Sequence, residues 1–216
     1  MHPLATDKTH ESPMKYLTLG DSYTIGEGVA PGERWGEVLA RGLRAQGIAL
    51  EDPRIIATTG WTTDELSAAM DAAEPLGTWD FVTLLIGVNN QYRGRGVDEY
   101  REQFEALLRR AIALAGGRTG RVLVLSIPDW GATRFGAESG RDLAQVSREL
   151  DAFNAAACEV SETLGVAFVD ITTTSRDGGG TRAMLADDGL HPSAAMYARW
   201  ADAARPVASQ LLASPE

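Results

Sequence analysis

The amino-acid sequence predicts an α/β protein in which a central parallel sheet carries helices on both faces. Three observations point there. Short apolar runs of strand length alternate with stretches of helical period along most of the chain. The runs are apolar on both alternations, as strands buried on both faces are. The chain has 216 residues, long for a minimal domain and short for two, and no repeat or low-complexity linker divides it.

Residues 1–13 are polar and read as a flexible N-terminal extension, with one domain expected over residues 14–216. Lys15 to Gly20 (KYLTLG) is an apolar run that stops at a glycine, the first strand. Trp35 to Gln46 places Trp35, Val38, Leu39 and Leu43 at helical spacing. Arg54 to Thr58 (RIIAT) is the second strand. Thr62 to Ala73 is helical, with Thr62 or Thr63 as N-cap and acids in the first turn.

Asp80 to Gly87 (DFVTLLIG) is the strongest strand signal. Val97, Tyr100, Phe104, Leu107, Leu108, Ala111 and Leu114 then mark a long amphipathic helix. Arg121 to Ile127 (RVLVLSI) is the fourth strand, Leu143 to Leu164 a helix, Val166 to Ile171 the fifth strand, and Ala194 to Leu212 the last helix. Such alternation calls for right-handed βαβ units. Gly178, Gly179 and Gly180 read as a flexible, tolerant surface connection.

Composition narrows the partners. The formal charge is -10, from 30 acidic against 20 basic residues. The phosphate field of nucleic acid or an anionic membrane repels such a chain, and no Lys/Arg run overturns that. The first thirteen residues lack the apolar stretch of roughly 7–15 residues that a secretory signal needs. No apolar run reaches the roughly 20 residues of a membrane span. A cytoplasmic protein is the expectation. The single cysteine, Cys158, cannot form an internal disulfide and reads as a buried structural thiol in a helix.

In open α/β sheets, ligands bind at the carboxyl ends of the strands. Those ends carry Gly20-Asp21-Ser22-Tyr23, Thr59-Gly60-Trp61, Gly87-Val88-Asn89-Asn90 and Pro128-Asp129-Trp130-Gly131, while Asp187-Asp188-Gly189-Leu190-His191-Pro192 precedes the last helix. Of three histidines, His2 and His10 lie in the extension, which leaves His191 as the one in the folded body. A lone histidine is more often structural. Asp188, three residues earlier in a turn with Gly189, can reach one imidazole nitrogen and leave the other free as a base. Ser22 follows a tight turn that can expose its hydroxyl, although its plainer role is N-cap of the next helix. Asn89 and the Gly60 backbone N–H can each donate to an oxyanion, and each taken alone is an ordinary turn residue.

The four blocks Gly20-Asp21-Ser22, Gly60, Gly87-Val88-Asn89-Asn90 and Asp188-Gly189-Leu190-His191, in that order, resemble the SGNH or GDSL hydrolase family. The resemblance runs from about Lys15 to the C-terminus. It implies a three-layer α/β/α, flavodoxin-like fold around a five-stranded parallel sheet. It implies Ser22 as nucleophile, His191 as base and Asp188 as its orienting partner. The oxyanion hole it implies comes from the N–H groups of Ser22 and Gly60 and the side chain of Asn89. One departure stands out: the third block usually reads Gly-x-Asn-Asp, and Asn90 occupies the last place. The Gly-x-Ser-x-Gly elbow of ordinary α/β-hydrolases is absent.

These residues together predict hydrolysis of a small acyl ester through an acyl-enzyme, with no cofactor and no metal. One cysteine and one body histidine do not build the usual zinc shells. Trp61, Tyr92, Trp130, Phe135 and Met196 lie near the rim as candidate pocket residues. Little chain is left for a lid beyond Pro128 to Arg141, which favours short acyl chains. Thioesterase, sugar deacetylase and acyltransferase chemistry share the same acyl-enzyme. A catalytically silent binding module is the alternative from another class. A mononucleotide binder is disfavoured, because the first turn lacks a Gly-rich cradle and Gly94-Arg95-Gly96 lies at no strand-to-helix junction.

Overall fold

A computed structural model describes residues 12–213, so most of the expected N-terminal extension, with His2 and His10, lies outside the described residues. Five strands form one sheet: β1 (Tyr16–Gly20), β2 (Arg54–Ala57), β3 (Phe81–Leu85), β4 (Val122–Leu125) and β5 (Ala167–Val169). Every pairing is parallel and the spatial order is β2-β1-β3-β4-β5. All residues of β1, β3 and β4 are buried, which is why their sequences are apolar on both alternations.

The helices are α1 (Ser22–Ile25), α2 (Trp35–Ala45), α3 (Thr63–Ala72), α4 (Val88–Tyr92), α5 (Val97–Leu114), α6 (Arg134–Glu138), α7 (Leu143–Thr163), α8 (Thr172–Arg176) and α9 (Ala194–Ala213). The long pair α2 and α9 pack together, and α5 packs against α3 and α7. Right-handed crossovers on either side of β1 put these two groups on opposite faces, which gives three layers. The apolar stripe of α5 supplies Tyr100 and Phe104 to the core, where the Tyr100 ring stacks on Phe153 of α7 at 4.6 Å. Burying each such large side chain contributes about 1.5–3 kcal/mol.

The strand order fixes where a ligand can sit. From β1 the chain moves outward to β2, then returns across β1 to β3. Loops at the carboxyl ends of β1 and β3 therefore diverge and open a crevice. Gly87, at φ +132°, turns the chain from β3 into α4, and a Cβ there would lie 2.5 Å from Cε2 of Tyr100. No other residue type fits without displacing that ring.

Some expectations change. The Pro128 to Arg141 stretch is not a plain loop, since it holds a 3-10 turn at Trp130–Ala132 and then α6. Gly178 to Gly180 is not tolerant throughout. Gly179 is buried, and a Cβ on it would collide with the Ser175 carbonyl. Cys158 is half-buried rather than fully buried, with Sγ 3.6 Å from Glu162 Oε1 on the next turn of α7. Partial burial first, and the Glu162 charge second, push its thiol pKa up, so little reactive thiolate forms. Among the described residues, no helix is long and apolar enough to cross a membrane.

Candidate active site

Ser22, Gly60, Asn89 and His191 line one cleft of about 210 Å³. Four different segments deliver them. Ser22 follows β1, Gly60 follows β2 and Asn89 follows β3, while His191 precedes α9. Because β1 lies between β2 and β3, Ser22 is flanked by the segments that carry Gly60 and Asn89.

Ser22 is the first residue of α1 rather than its cap. Asp21 takes the N-cap place and accepts the Tyr23 N–H at 3.0 Å. That division leaves the Ser22 hydroxyl uncommitted to helix capping. Ser22 is 5% exposed. Among the described residues it makes no hydrogen bond to His191, a looseness common in unliganded sites.

His191 is held from one side. Its Nδ1 lies 2.5 Å from Asp188 Oδ2, which leaves Nε2 as the unpaired ring nitrogen. Asp188 Oδ1 accepts the N–H groups of Leu190 and His191, both at 2.9 Å. Partial burial alone would raise the Asp188 pKa. The hydrogen bonds from the His191 ring and those two N–H groups outweigh it and hold the carboxyl below its usual range. The Tyr23 ring meets the imidazole edge-on, 5.9 Å between centroids, and limits how far it can swing.

Asn89 and Gly60 are tied to one another's segments. Asn89 Nδ2 donates to the Trp61 carbonyl at 2.9 Å, which spends one of its two N–H bonds and fixes the amide plane. Gly60 sits at φ +90°, and its carbonyl accepts from Arg93 Nη2 at 2.6 Å. The Gly60 N–H has no partner among the described residues.

Asp21 is fully buried beside this cluster. The backbone at Tyr23 and Gly87 faces its carboxyl, yet Oδ2 has no hydrogen-bond partner. Burial dominates over those contacts and pushes its pKa up to about 7.

Of the five candidate pocket residues, Tyr92, Trp130 and Phe135 line the cleft. Their rings meet edge to face, Tyr92 to Trp130 at 5.3 Å and Trp130 to Phe135 at 6.0 Å. Trp61 and Met196 do not line it. The Trp61 side chain packs against the core, and only its carbonyl reaches Asn89. Met196 is buried on α9 behind Trp130, beside Tyr23 and Trp200. Four residues that the sequence places at the rim but does not mark as pocket candidates complete the lining: Tyr23, Thr59, Val88 and Leu190. Each is the chain neighbour of a motif residue, and that adjacency is the only signal that marks them.

A parallel α/β sheet with serine, histidine and aspartate at its carboxyl-end crevice defines the class as hydrolase-like. The chain belongs to the GDSL-like lipase/acylhydrolase family, whose model matches residues 18–199. No curated protein matches the sequence. Among solved structures, it is similar to TesA, at 21% identity over 91% of this chain and 99% of that one, with a TM-score of 0.70. A lipase/acylhydrolase from Enterococcus faecalis is 22% identical over 91% of this chain and 96% of that one, with a TM-score of 0.68. An acetylxylan esterase from Geobacillus stearothermophilus is 19% identical over 94% of this chain and 96% of that one, with a TM-score of 0.66. At these identities the likeness is one of fold.

Proposed function

We propose that the protein is a serine esterase that cleaves short-chain carboxylic esters through an acyl-enzyme on Ser22. The observation that carries this reading is the 2.5 Å contact of His191 Nδ1 with Asp188, in the cleft that Ser22 also lines. With Nδ1 engaged, Nε2 is the nitrogen free to take a proton.

Ser22 Oγ attacks the ester carbonyl carbon as its proton passes to His191 Nε2. The carbonyl becomes a tetrahedral oxyanion, which the Ser22 and Gly60 N–H groups and the remaining Asn89 Nδ2–H stabilise. His191 returns the proton to the alcohol oxygen as the carbon–oxygen bond breaks. Water then repeats the sequence on the acyl-enzyme, releasing the acid and restoring Ser22. Asp188 stays ionised and steadies the imidazolium that forms twice per turnover.

The cleft favours small acyl groups. Tyr92, Trp130 and Phe135 close part of a cleft of about 210 Å³, and these rings are what would stop a long acyl chain. A series of p-nitrophenyl esters from acetate to palmitate tests this. Rates that peak at two to four carbons support it, and a peak at long chains refutes it.

Acetylated sugars are a second reading. A cavity of about 390 Å³ shares Tyr92 with the cleft, and most of the side chains along it are polar or charged: Gln91, Arg93, Arg141, Asp142, Gln145 and Glu149. Such a lining suits a polyhydroxylated alcohol, and the acetylxylan esterase among the structural neighbours acts on a substrate of that kind by name. Acetate release from peracetylated xylose, compared with p-nitrophenyl acetate at equal concentration, separates the two.

A further inference from the structure

Two of the three oxyanion donors proposed above, Gly60 and Asn89, come from the ends of strands that do not touch, β2 and β3. Something must hold the two segments in register. The short helix α4 and the residues just after it provide four ties to residues 60–65. Asn89 grips the Trp61 carbonyl, and Asn90 grips Thr63. Arg93 reaches Gly60 and Glu65, and Arg95 reaches Asp64.

Arg93 differs from the others in where it pulls. Its Nη2 donates to the Gly60 carbonyl at 2.6 Å, while Nη1 lies 3.4 Å from Glu65 Oε1. Glu65 in turn accepts the Thr62 N–H through Oε2 at 2.8 Å, closing the capping box of α3. One guanidinium therefore spans the turn from Gly60 to the start of α3. Gly60 is the point that most needs holding. A glycine at φ +90° has no side chain to restrict it, and among the described residues, its two chain neighbours aside, the one atom within 4 Å of its missing Cβ is Arg93 Nη2. Asn89 fixes the carbonyl of Trp61, one peptide further on, and the Trp61 N–H reaches the Thr58 carbonyl at 3.3 Å, but among the described residues only Arg93 bonds the Gly60 carbonyl itself.

We propose that Arg93 is a positioning residue for ester hydrolysis, whose hydrogen bond to the Gly60 carbonyl keeps the Gly60 N–H turned toward the cleft. Arg93 itself does not line the cleft and touches no reacting atom. The inference rests on the serine esterase reading and specifies how its oxyanion site is held. Loss of Arg93 leaves the turn at Gly60 held only by the longer Trp61 N–H to Thr58 carbonyl bond, so the donor is misdirected for part of the time rather than deleted.

The test compares Arg93→Ala, Arg93→Lys and Arg95→Ala on p-nitrophenyl acetate, with Ser22→Ala alongside. Arg93→Ala lowers kcat by about 10- to 100-fold with KM within about twofold, less than the roughly 10²–10³ of removing a donor outright. Affinity for a trifluoromethyl ketone, which forms a tetrahedral adduct, falls by the same factor as kcat/KM. Arg93→Lys keeps charge and stem but reaches only one of the two oxygens, so its kcat lies between Ala and wild type. Arg95→Ala loses a comparable tie to the same segment without touching Gly60, and its kcat stays within about twofold of wild type, well under one tenfold step in barrier. Wild-type kcat in both Arg93 variants overturns the proposal. Equal kcat losses in Arg93→Ala and Arg95→Ala, tracking equal losses in melting temperature, overturn it as well, since the role is then only structural. Hydrolysis surviving in Ser22→Ala instead overturns the esterase reading beneath it.

Discussion

Asn90 and Thr63 are joined twice. The Asn90 Oδ1 accepts the Thr63 N–H at 3.1 Å, and its Nδ2 donates to Thr63 Oγ1 at 2.7 Å. Thr63 Oγ1 then donates to Gln103 Oε1 on α5, so the three side chains form one directed chain of hydrogen bonds. Where the family resemblance implies an aspartate, an amide fits because it supplies the donor that Thr63 receives. With an aspartate in that place, the Thr63 hydroxyl would have to turn toward the carboxylate and give up Gln103.

Asn90 is fully buried, so its removal leaves Thr63 groups unpaired in the interior. Asn90→Ala is expected to cost about 1–3 kcal/mol of stability, the usual penalty for stranding buried polar partners. Asn90→Asp is expected to be destabilised as well, because it buries a charge and breaks the donor order. Urea midpoints of the two variants and wild type check this. An Asn90→Asp variant as stable as wild type would show that the directed chain is not what holds Asn90.

In the proposed mechanism Asn89 carries two duties on one amide. Asn89→Ala is expected to lower kcat by roughly 10²–10³ with p-nitrophenyl acetate, the loss typical of one oxyanion donor. Since the tie to the Trp61 carbonyl goes too, Asn89→Asp, which cannot donate, is expected to fall at least as far. Steady-state kinetics that leave kcat unchanged remove Asn89 from the oxyanion site.

On the short-chain esterase reading, Phe135 is expected to limit acyl length. Its backbone N–H donates to the Gly189 carbonyl at 2.9 Å, so truncating the side chain leaves α6 tethered to the loop that carries His191. Phe135→Ala is expected to raise the rate on octanoate relative to acetate by about tenfold, the scale of one or two methylenes in an apolar pocket. An unchanged chain-length profile would place the acyl group elsewhere.

Asp21 sets a pH dependence of stability. Its folded pKa, about 7, lies above the ordinary carboxyl value of 3.8 because burial penalises the charge. The unfolded chain therefore releases this proton more readily, and Asp21 contributes full stability only below about pH 4. That contribution is lost as pH rises toward 7 and is flat above it. Asp21→Asn cannot ionise, so it gains on wild type between about pH 4 and pH 7. Denaturation midpoints across that range that run parallel for the two proteins would contradict the assignment.

The fold was legible because burial wrote it into the strands. The runs at Tyr16–Gly20, Phe81–Leu85 and Val122–Leu125 are apolar throughout because both faces are covered. The fifth strand is shorter than its apolar run suggested, ending at Val169. Asp170 accepts the Thr172 and Thr173 N–H groups there and starts α8 instead. The helices α1, α4, α6 and α8 have four or five residues each, too few for a 3.6-residue period to show. The gathering of Ser22, Gly60 and Asn89 in one cleft was foreshadowed by their places at strand ends, and His191 by being the one histidine in the folded body. Arg93 was not legible, since nothing in its spacing says that an exposed arginine bends back onto a glycine carbonyl thirty-three residues earlier. Nor was the burial of Asp21, which follows from how the β1 turn nests against Gly87 rather than from any local pattern.

The measurement that bears most directly on the central claim is intact-protein mass spectrometry after treatment with a fluorophosphonate. The account predicts one adduct per chain, mapped to Ser22 by peptide analysis, absent in Ser22→Ala and slowed strongly in His191→Ala. Rapid stoichiometric labelling that persists in Ser22→Ala, or no labelling of the wild-type protein between pH 6 and pH 9, would contradict it.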